Sequence, residues 1–159
     1  MSVDNNLLNF IKTEIPQLLN QLQADTPAQW GVMSAQHMVE HLGGSFLLGT
    51  GRFPVKPMYN EEKTQRSYDY IIKARQPFMK GVKINMVPVE PAPYRFASLE
   101  EAKEKLLNAV QQFFDYFEQN PDAKLPHPAF GSLDYADFIV FEAQHAKHHF
   151  LQFGLIDSY

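Results

Sequence analysis

Six histidines are the residues of this chain whose types and spacing could do chemistry. His37 and His41 stand four apart, as do His145 and His149, with His148 beside the second pair and His127 alone. A helix turns about 100° per residue, so residues four apart share a face. Two imidazoles placed this way form a two-point chelate for a divalent ion, the geometry behind the His-Glu-x-x-His zinc helix. One pair is only moderately specific, because a lone histidine on an apolar face is more often a hydrogen-bonded core residue. Two pairs in a chain without cysteine are harder to explain that way, although a surface histidine patch or a buried polar network remain alternatives. Leu42, Phe138 and Phe141 should flank the histidine faces, and neutral imidazoles against an apolar core need a partner that rewards their burial.

The absence of cysteine removes disulfides, thiolate nucleophiles, zinc fingers and iron–sulfur clusters together. Any transition metal must then be held by His, Asp or Glu, and an all-nitrogen site suits Zn, Ni, Fe or Cu without choosing among them. No Gly-x-Ser-x-Gly elbow is present. Gly43-Gly44 and Gly49-Thr50-Gly51 lack the spacing and strand context of a phosphate loop. Glu40 and Glu142 lie near the histidines in sequence. Each reads as a general base, a group supporting a ligand, or a solvated surface acid, with the last favoured. His127, next to Pro128, reads as a loop residue satisfied by backbone in preference to a cap on the site.

The elements that must position these residues are mostly helical. Leu7, Leu8, Ile11, Ile15, Leu18, Leu19 and Leu22 form a helical stripe over about 4–22, with Pro16 predicting a kink or break near Glu14. Ser34 is a plausible N-cap for a second helix over about 35–48, which carries His37 and His41. Its Gly43-Gly44 either weakens it or lets a neighbour approach closely. A third helix spans about 61–75 and ends before Pro77. Residues 76–96, with Pro77, Pro88, Pro91 and Pro93, read as a long extended connection. Ser98-Leu99-Glu100-Glu101 matches a capping box and opens a fourth helix over 99–118, buried through Leu106, Val110, Phe113, Phe114 and Phe117. Residues 121–133 read as loop. Asp134 caps a fifth helix over about 135–153, carrying His145, His148 and His149, with Gly154 at its end. Helical segments without alternating strands predict an all-α bundle, one domain over 1–159.

The chain has 159 residues, is 45% hydrophobic and 20% charged, and has a net charge of -4, an ordinary balance for a folded domain. An acidic excess argues against nucleic acid as the main partner. No apolar run reaches the ~20 residues of a membrane span, and the first residues do not resemble a secretory signal, so a cytoplasmic protein is expected. Charge is uneven: Arg52, Lys56, Lys63, Arg66, Lys73, Arg75, Lys80 and Lys83 face only Glu61, Glu62 and Asp69 between positions 52 and 83. This segment reads as a solvated surface in the first place, and alternatively as a rim attracting an anionic small molecule.

Four motifs then carry a resemblance. Trp30-Gly31-x-Met33, Met38-Val39-Glu40-His41, His127-Pro128-x-Phe130-Gly131 and His145-x-x-His148-His149-x-x-Gln152-Phe153-Gly154 follow one another in an order and spacing that resemble the DinB/YfiT-like superfamily of metal-dependent proteins, over about 30–155. The resemblance implies a four-helix bundle with a long crossover connection and an extra short helix. It also implies a divalent ion held by three histidines near one end: His41 from the second helix, His145 and His149 from the last. His37 lies outside that pattern and is left as a fourth ligand or a supporting group; His148 matches a neighbour that is not a ligand. Where relatives frequently have Arg-Gly-Gln after the final histidine, this chain has Phe150-Leu151-Gln152. Characterised relatives include thiol-cofactor S-transferases and a thiol-dependent isomerase.

The function expected is therefore that of a metal-dependent enzyme, a hydrolase or thiol-cofactor S-transferase, using a divalent transition metal such as Zn, Ni or Fe. Three protein ligands leave coordination positions open, the catalytic arrangement. Glu142, one turn before His145, is the candidate for orienting water or a ligand, and an anionic or thiol-bearing small molecule is the expected substrate. The alternative is a non-catalytic metal- or small-molecule-binding helical module, and a homodimer is left open. A histidine cluster forming a pH-sensitive seam is a third reading.

Overall fold

Proline chemistry shapes the first helix. In the computed structural model, which describes residues 2–81 and 92–159, helix α1 covers residues 5–19 and is capped by Asp4, whose carboxylate accepts from the Asn6 and Leu7 amides. Pro16 has no N–H to give and its ring crowds the carbonyl four residues back. The helix accommodates it by widening: Phe10–Glu14 forms a π turn in which the Ile15 amide donates to the Phe10 carbonyl, and α-helical geometry resumes over Ile15–Leu19. The expected break is thus a bulge, and the helix ends three residues before Leu22.

Helix α2, Ala35–Leu48, starts at Ser34 as expected, with Ser34 Oγ accepting from the His37 amide. Helix α3 covers residues 61–73, α-helical over Glu61–Tyr68 and π over Asp69–Lys73. Helix α4, Leu99–Gln119, is capped by Ser98; Glu101 reaches back to the Ala97 amide rather than that of Ser98, one residue beyond a regular capping box. Phe114 is only half-buried and takes Lys12 over its ring, while Ala102, Leu106, Ala109, Val110, Phe113 and Phe117 face the core. Residues 82–91 of the expected extended connection, Lys83 among them, lie outside the described residues.

The loop expected over 121–133 contains a small antiparallel hairpin, β1 Leu125–His127 and β2 Gly131–Leu133, with Leu125 opposite Leu133. Strands of three residues are too short to write an alternation into the sequence, and Pro126 further masks β1. Gly131, at φ 78°, supplies the left-handed backbone of the turn.

Helix α5, Tyr135–Gln152, runs through the middle. Every residue from Ala136 to Gln144 is buried, so it has no solvent face over that stretch. It ends in a Schellman arrangement, the Leu155 amide donating to the Phe150 carbonyl and Gly154 (φ 69°) to Leu151. Around it α1, α2 and α4 make a four-helix bundle, with α3 as the additional short helix. Helices α2 and α4 pack most closely. A Cβ on Gly43 would lie 3.6 Å from Leu106 Cα, which bears out the close approach expected there.

Phe113 joins the layers, its ring between 5.2 and 6.2 Å from those of Phe46, Phe114, Phe117, Tyr135 and Phe138. Phe113→Ala should therefore cost about 3–5 kcal/mol in a urea melt. Leu107→Ala, on the exposed face of the same helix, should stay within about 0.5 kcal/mol.

Candidate metal centre

A central helix buried on all sides must find a partner for each polar side chain it carries. In α5 the partners come from other elements. Tyr68 donates to Asp137 (3.1 Å); Gln144 donates to the carbonyls of Arg75 (2.8 Å) and Gln76 (3.1 Å); Gln152 donates to the Trp30 carbonyl (2.9 Å). Ser45 of α2 lies 3.0 Å from both oxygens of Glu142. These bonds fix the rotation and height of α5 against its neighbours, and with them the positions of its histidines.

His145 and His149 project from one face of α5 toward His41 on α2. His41 Nε2 lies 2.8 Å from His145 Nε2, and His149 Nε2 lies 3.2 Å from the same atom. Among the described residues these three form the group whose ligand atoms all lie within 4.8 Å of one another. The other ring nitrogens of the α5 pair are engaged from behind. His149 Nδ1–H donates to Gln152 Oε1 (2.8 Å), whose amide is oriented by its bond to Trp30. His145 Nδ1 is 3.2 Å from Ser45 Oγ. With Nδ1 protonated, each ring turns the Nε2 lone pair toward the common point. At metal–nitrogen distances of ~2.0–2.1 Å, nitrogens about 3 Å apart subtend roughly 90–100° at an ion. The donor set and its spacing fit a divalent transition ion.

The surroundings are dry on one side and open on the other. Phe141 stacks on His145 at 5.2 Å, and Phe78 lies 5.8 Å from both His145 and His148. His41 keeps an exposed edge, so the cluster faces solvent along α2. Burial, followed by the nearby His148 and Arg95, pushes the His41 imidazole down to about 4. Burial lowers His149 to about 3 and His145 well below the usual range. All three rings are neutral near pH 7, the state a metal ligand requires.

The other histidines part company with the site. His37 is not a ligand: its Nδ1 is 2.8 Å from Ser34 Oγ, its Nε2 is 2.6 Å from the Ala92 carbonyl, and its ring packs on Tyr94. The first i,i+4 pair is therefore split between a helix cap and the cluster. His148 turns to Trp30 and Phe78, as the non-ligand neighbour it resembled. His127 is buried in β1, accepts from the Ala129 amide as the loop reading expected, and stacks on Phe130. Of the flanking residues expected, Phe141 does line the cluster, whereas Phe138 packs against Phe113, Phe117 and His127 instead.

Both acids correct the sequence reading, which favoured solvated positions for them. Glu40 is 8% exposed and accepts from the Arg95 amide (2.7 Å) and Gln36 (3.0 Å), pinning the chain that leads into α4. Glu142 is fully buried, which pushes its carboxyl well above the ordinary range against the pull of Ser45. Its neighbours in sequence are apolar, Phe141 and Ala143, but so are those of many surface acids. What could have found Ser45 and Gln152 is spacing: Ser45 is one turn after His41, and Gln152 is three residues after His149.

Among the described residues, several members of the basic segment have partners of their own. Arg66 pairs with Glu62, Lys73 with Asp69, Arg75 with Asp4, and Lys63 covers Tyr59. Lys80 is the member that lies near the centre, 4.6 Å over the Trp30 ring beside His148.

A family model described as the DinB superfamily matches residues 13–153. The chain belongs to the DinB superfamily. No curated protein and no solved structure matches it. For this DinB chain the structure brings together the three histidines that the resemblance marks, His41, His145 and His149. No helix is long and apolar enough to cross a membrane, among the described residues.

His127 gives a clean pH test. Burial holds it at about 3 in the folded chain, whereas an unfolded imidazole protonates near 6.5. The unfolded state then binds the extra proton, so its contribution to stability is full above 6.5 and declines as pH falls toward 3. Glu142 and Asp137, both raised, act in the opposite sense, so the readout is a difference. In His127→Asn, whose Oδ1 can take the Ala129 amide, the stability gap from wild type should shift by about 2 kcal/mol in the variant's favour between pH 7.5 and 5. Urea melts at the two pH values measure it.

Proposed function

We propose that this chain is a metal-dependent enzyme acting on a small molecule, by hydrolysis or by transfer to a thiol, with a divalent transition ion held by His41, His145 and His149. The observation that carries this reading is the convergence of three neutral Nε2 atoms from two helices at 2.8 and 3.2 Å. Three protein ligands leave room for a further one, which distinguishes reactive from purely structural zinc-type sites. When bound, the ion would supply Lewis-acid polarisation and the positive charge that activates water or a thiol near neutral pH.

The chain's own residues set the rest. His41 holds the solvent-facing side and defines the direction of entry. Phe78 and Phe141 keep water from the back of the cluster and strengthen electrostatic interactions there. Lys80 at the Trp30 ring and Arg95 near His41 supply positive charge at the approach, which favours a substrate bearing a carboxylate or phosphate, or a thiol reacting as thiolate.

Protein purified without a histidine tag should carry close to one equivalent of metal by elemental analysis. His41→Ala and His149→Ala should each lose it, and chelator should lower the wild-type melting temperature but not that of the variants. A metal-free protein whose melting ignores chelator sinks the reading. Loaded protein should then turn over at least one member of a panel of thiol acceptors, esters and amides. Retained metal with silence across the panel favours a binding module.

A further inference from the structure

Glu142 has no exposed surface, and among the described residues its carboxyl group is hydrogen-bonded by one side chain, Ser45. That side chain leads to the metal centre, because Ser45 Oγ is also 3.2 Å from His145 Nδ1. Resting on the metal-centre reading above, we propose that Glu142 is the positioning residue and counter-charge of the ion, coupled to it through Ser45 and His145 rather than by touching it.

The proton count gives the chain of bonds a direction. Ser45 has one hydroxyl proton and can donate it to the carboxylate while accepting from His145 Nδ1–H. This leaves His145 Nε2 with its lone pair facing His41 and His149, as a ligand must be. In the reverse direction a protonated carboxyl donates to Ser45 and Ser45 to Nδ1. His145 Nε2 then carries the proton and the ligand position is closed. A cation at the cluster selects the first direction, and an ionised Glu142 sustains it.

Charge points the same way. Three neutral imidazoles do not offset a divalent ion, and Arg95 and Lys80 add positive charge nearby. Glu40, adjacent to His41 in sequence, is committed to the Arg95 amide and Gln36. The equivalent bond on the other α5 ligand goes to a neutral amide, Gln152. The two ligands are thus supported differently, and only His145 has an acid behind it. Among the described residues no cationic side chain is in hydrogen-bond reach of Glu142, so its burial favours the protonated form on its own, and an ion one imidazole away would favour the ionised one.

The test is zinc affinity near neutral pH, measured by competition with a chromophoric chelator, on metal-free proteins whose folding is checked by circular dichroism. Glu142→Gln keeps the shape and removes the charge; it should bind zinc about 10–100-fold more weakly than wild type. Ser45→Ala should do the same, Ser45→Thr should bind like wild type, and the double variant should be no weaker than Ser45→Ala. The second readout is the proton NMR signal of His145 Nδ1–H in the zinc-loaded protein, protected in wild type and exposed to exchange in Glu142→Gln. Wild type binding zinc while Glu142→Gln stays within about twofold of it, with an unchanged Nδ1–H signal, overturns the proposal. A Glu142→Gln penalty that persists in full on top of Ser45→Ala also overturns it. Wild type binding no zinc instead removes the metal reading itself.

Discussion

The Nε2 atoms of His41 and His149 lie 2.8 and 3.2 Å from that of His145, and lone pairs gathered this closely repel one another unless something positive comes between them. A shared proton can bridge one such pair; a divalent cation can bridge all three. His149 leaves little freedom here, because Gln152, held by Trp30, takes its Nδ1–H and commits Nε2 to act as an acceptor. Much else in the molecule serves that gathering. Helix α2 brings His41, helix α5 brings the other two, and the buried polar bonds of α5 stop it from rotating or sliding relative to α2.

That arrangement gives α5 an unusual composition for a core helix. A bundle interior is most simply stabilised by apolar packing, and a helix enclosed on every side would be served by leucine and phenylalanine alone. Here Asp137, Glu142, Gln144, His149 and Gln152 are buried in it, and each finds a partner on another element or within its own last turn. Their net contribution to stability is small, because each bond replaces one to water. Their effect is on specificity of docking, since an apolar helix could settle at several heights and a helix with four polar groups bonded to other parts of the chain settles at one. The same logic covers Gln36 and Glu40 on α2, which tie down the chain entering α4.

Helices were legible in the sequence because their signals are local. Ser34, Ser98 and Asp134 read as caps, and all three act as caps; the stripe of α4, Phe114 apart, and the glycine after α5 also read correctly. The hairpin was not legible, for three-residue strands have no room to show a period. Of the widened turns in α1 and α3 only the first was signalled, by Pro16, and there as a kink or break rather than a bulge. At the site, the ligand set came from order and spacing matched to a family, whereas residue spacing alone would have grouped His37 with His41. The difference is which way a helix faces: His37 lies in the first turn of α2, where Ser34 captures it as a cap. Burial of Glu40 and Glu142 was not legible at all, because whether an acid is solvated depends on the partner that tertiary structure brings, and Ser45 lies 97 residues from Glu142.

Gly43 lies two residues beyond His41, on the opposite side of α2, where a methyl group would just touch the backbone of Leu106. At this position helix α2 therefore rests on α4 nearly backbone to backbone. The reach of His41 across the bundle is set by that bare contact. A bulkier residue at 43 would push the whole helix off α4, toward the side that carries His41, so the spacing of the histidine cluster is governed by an atom that glycine leaves out.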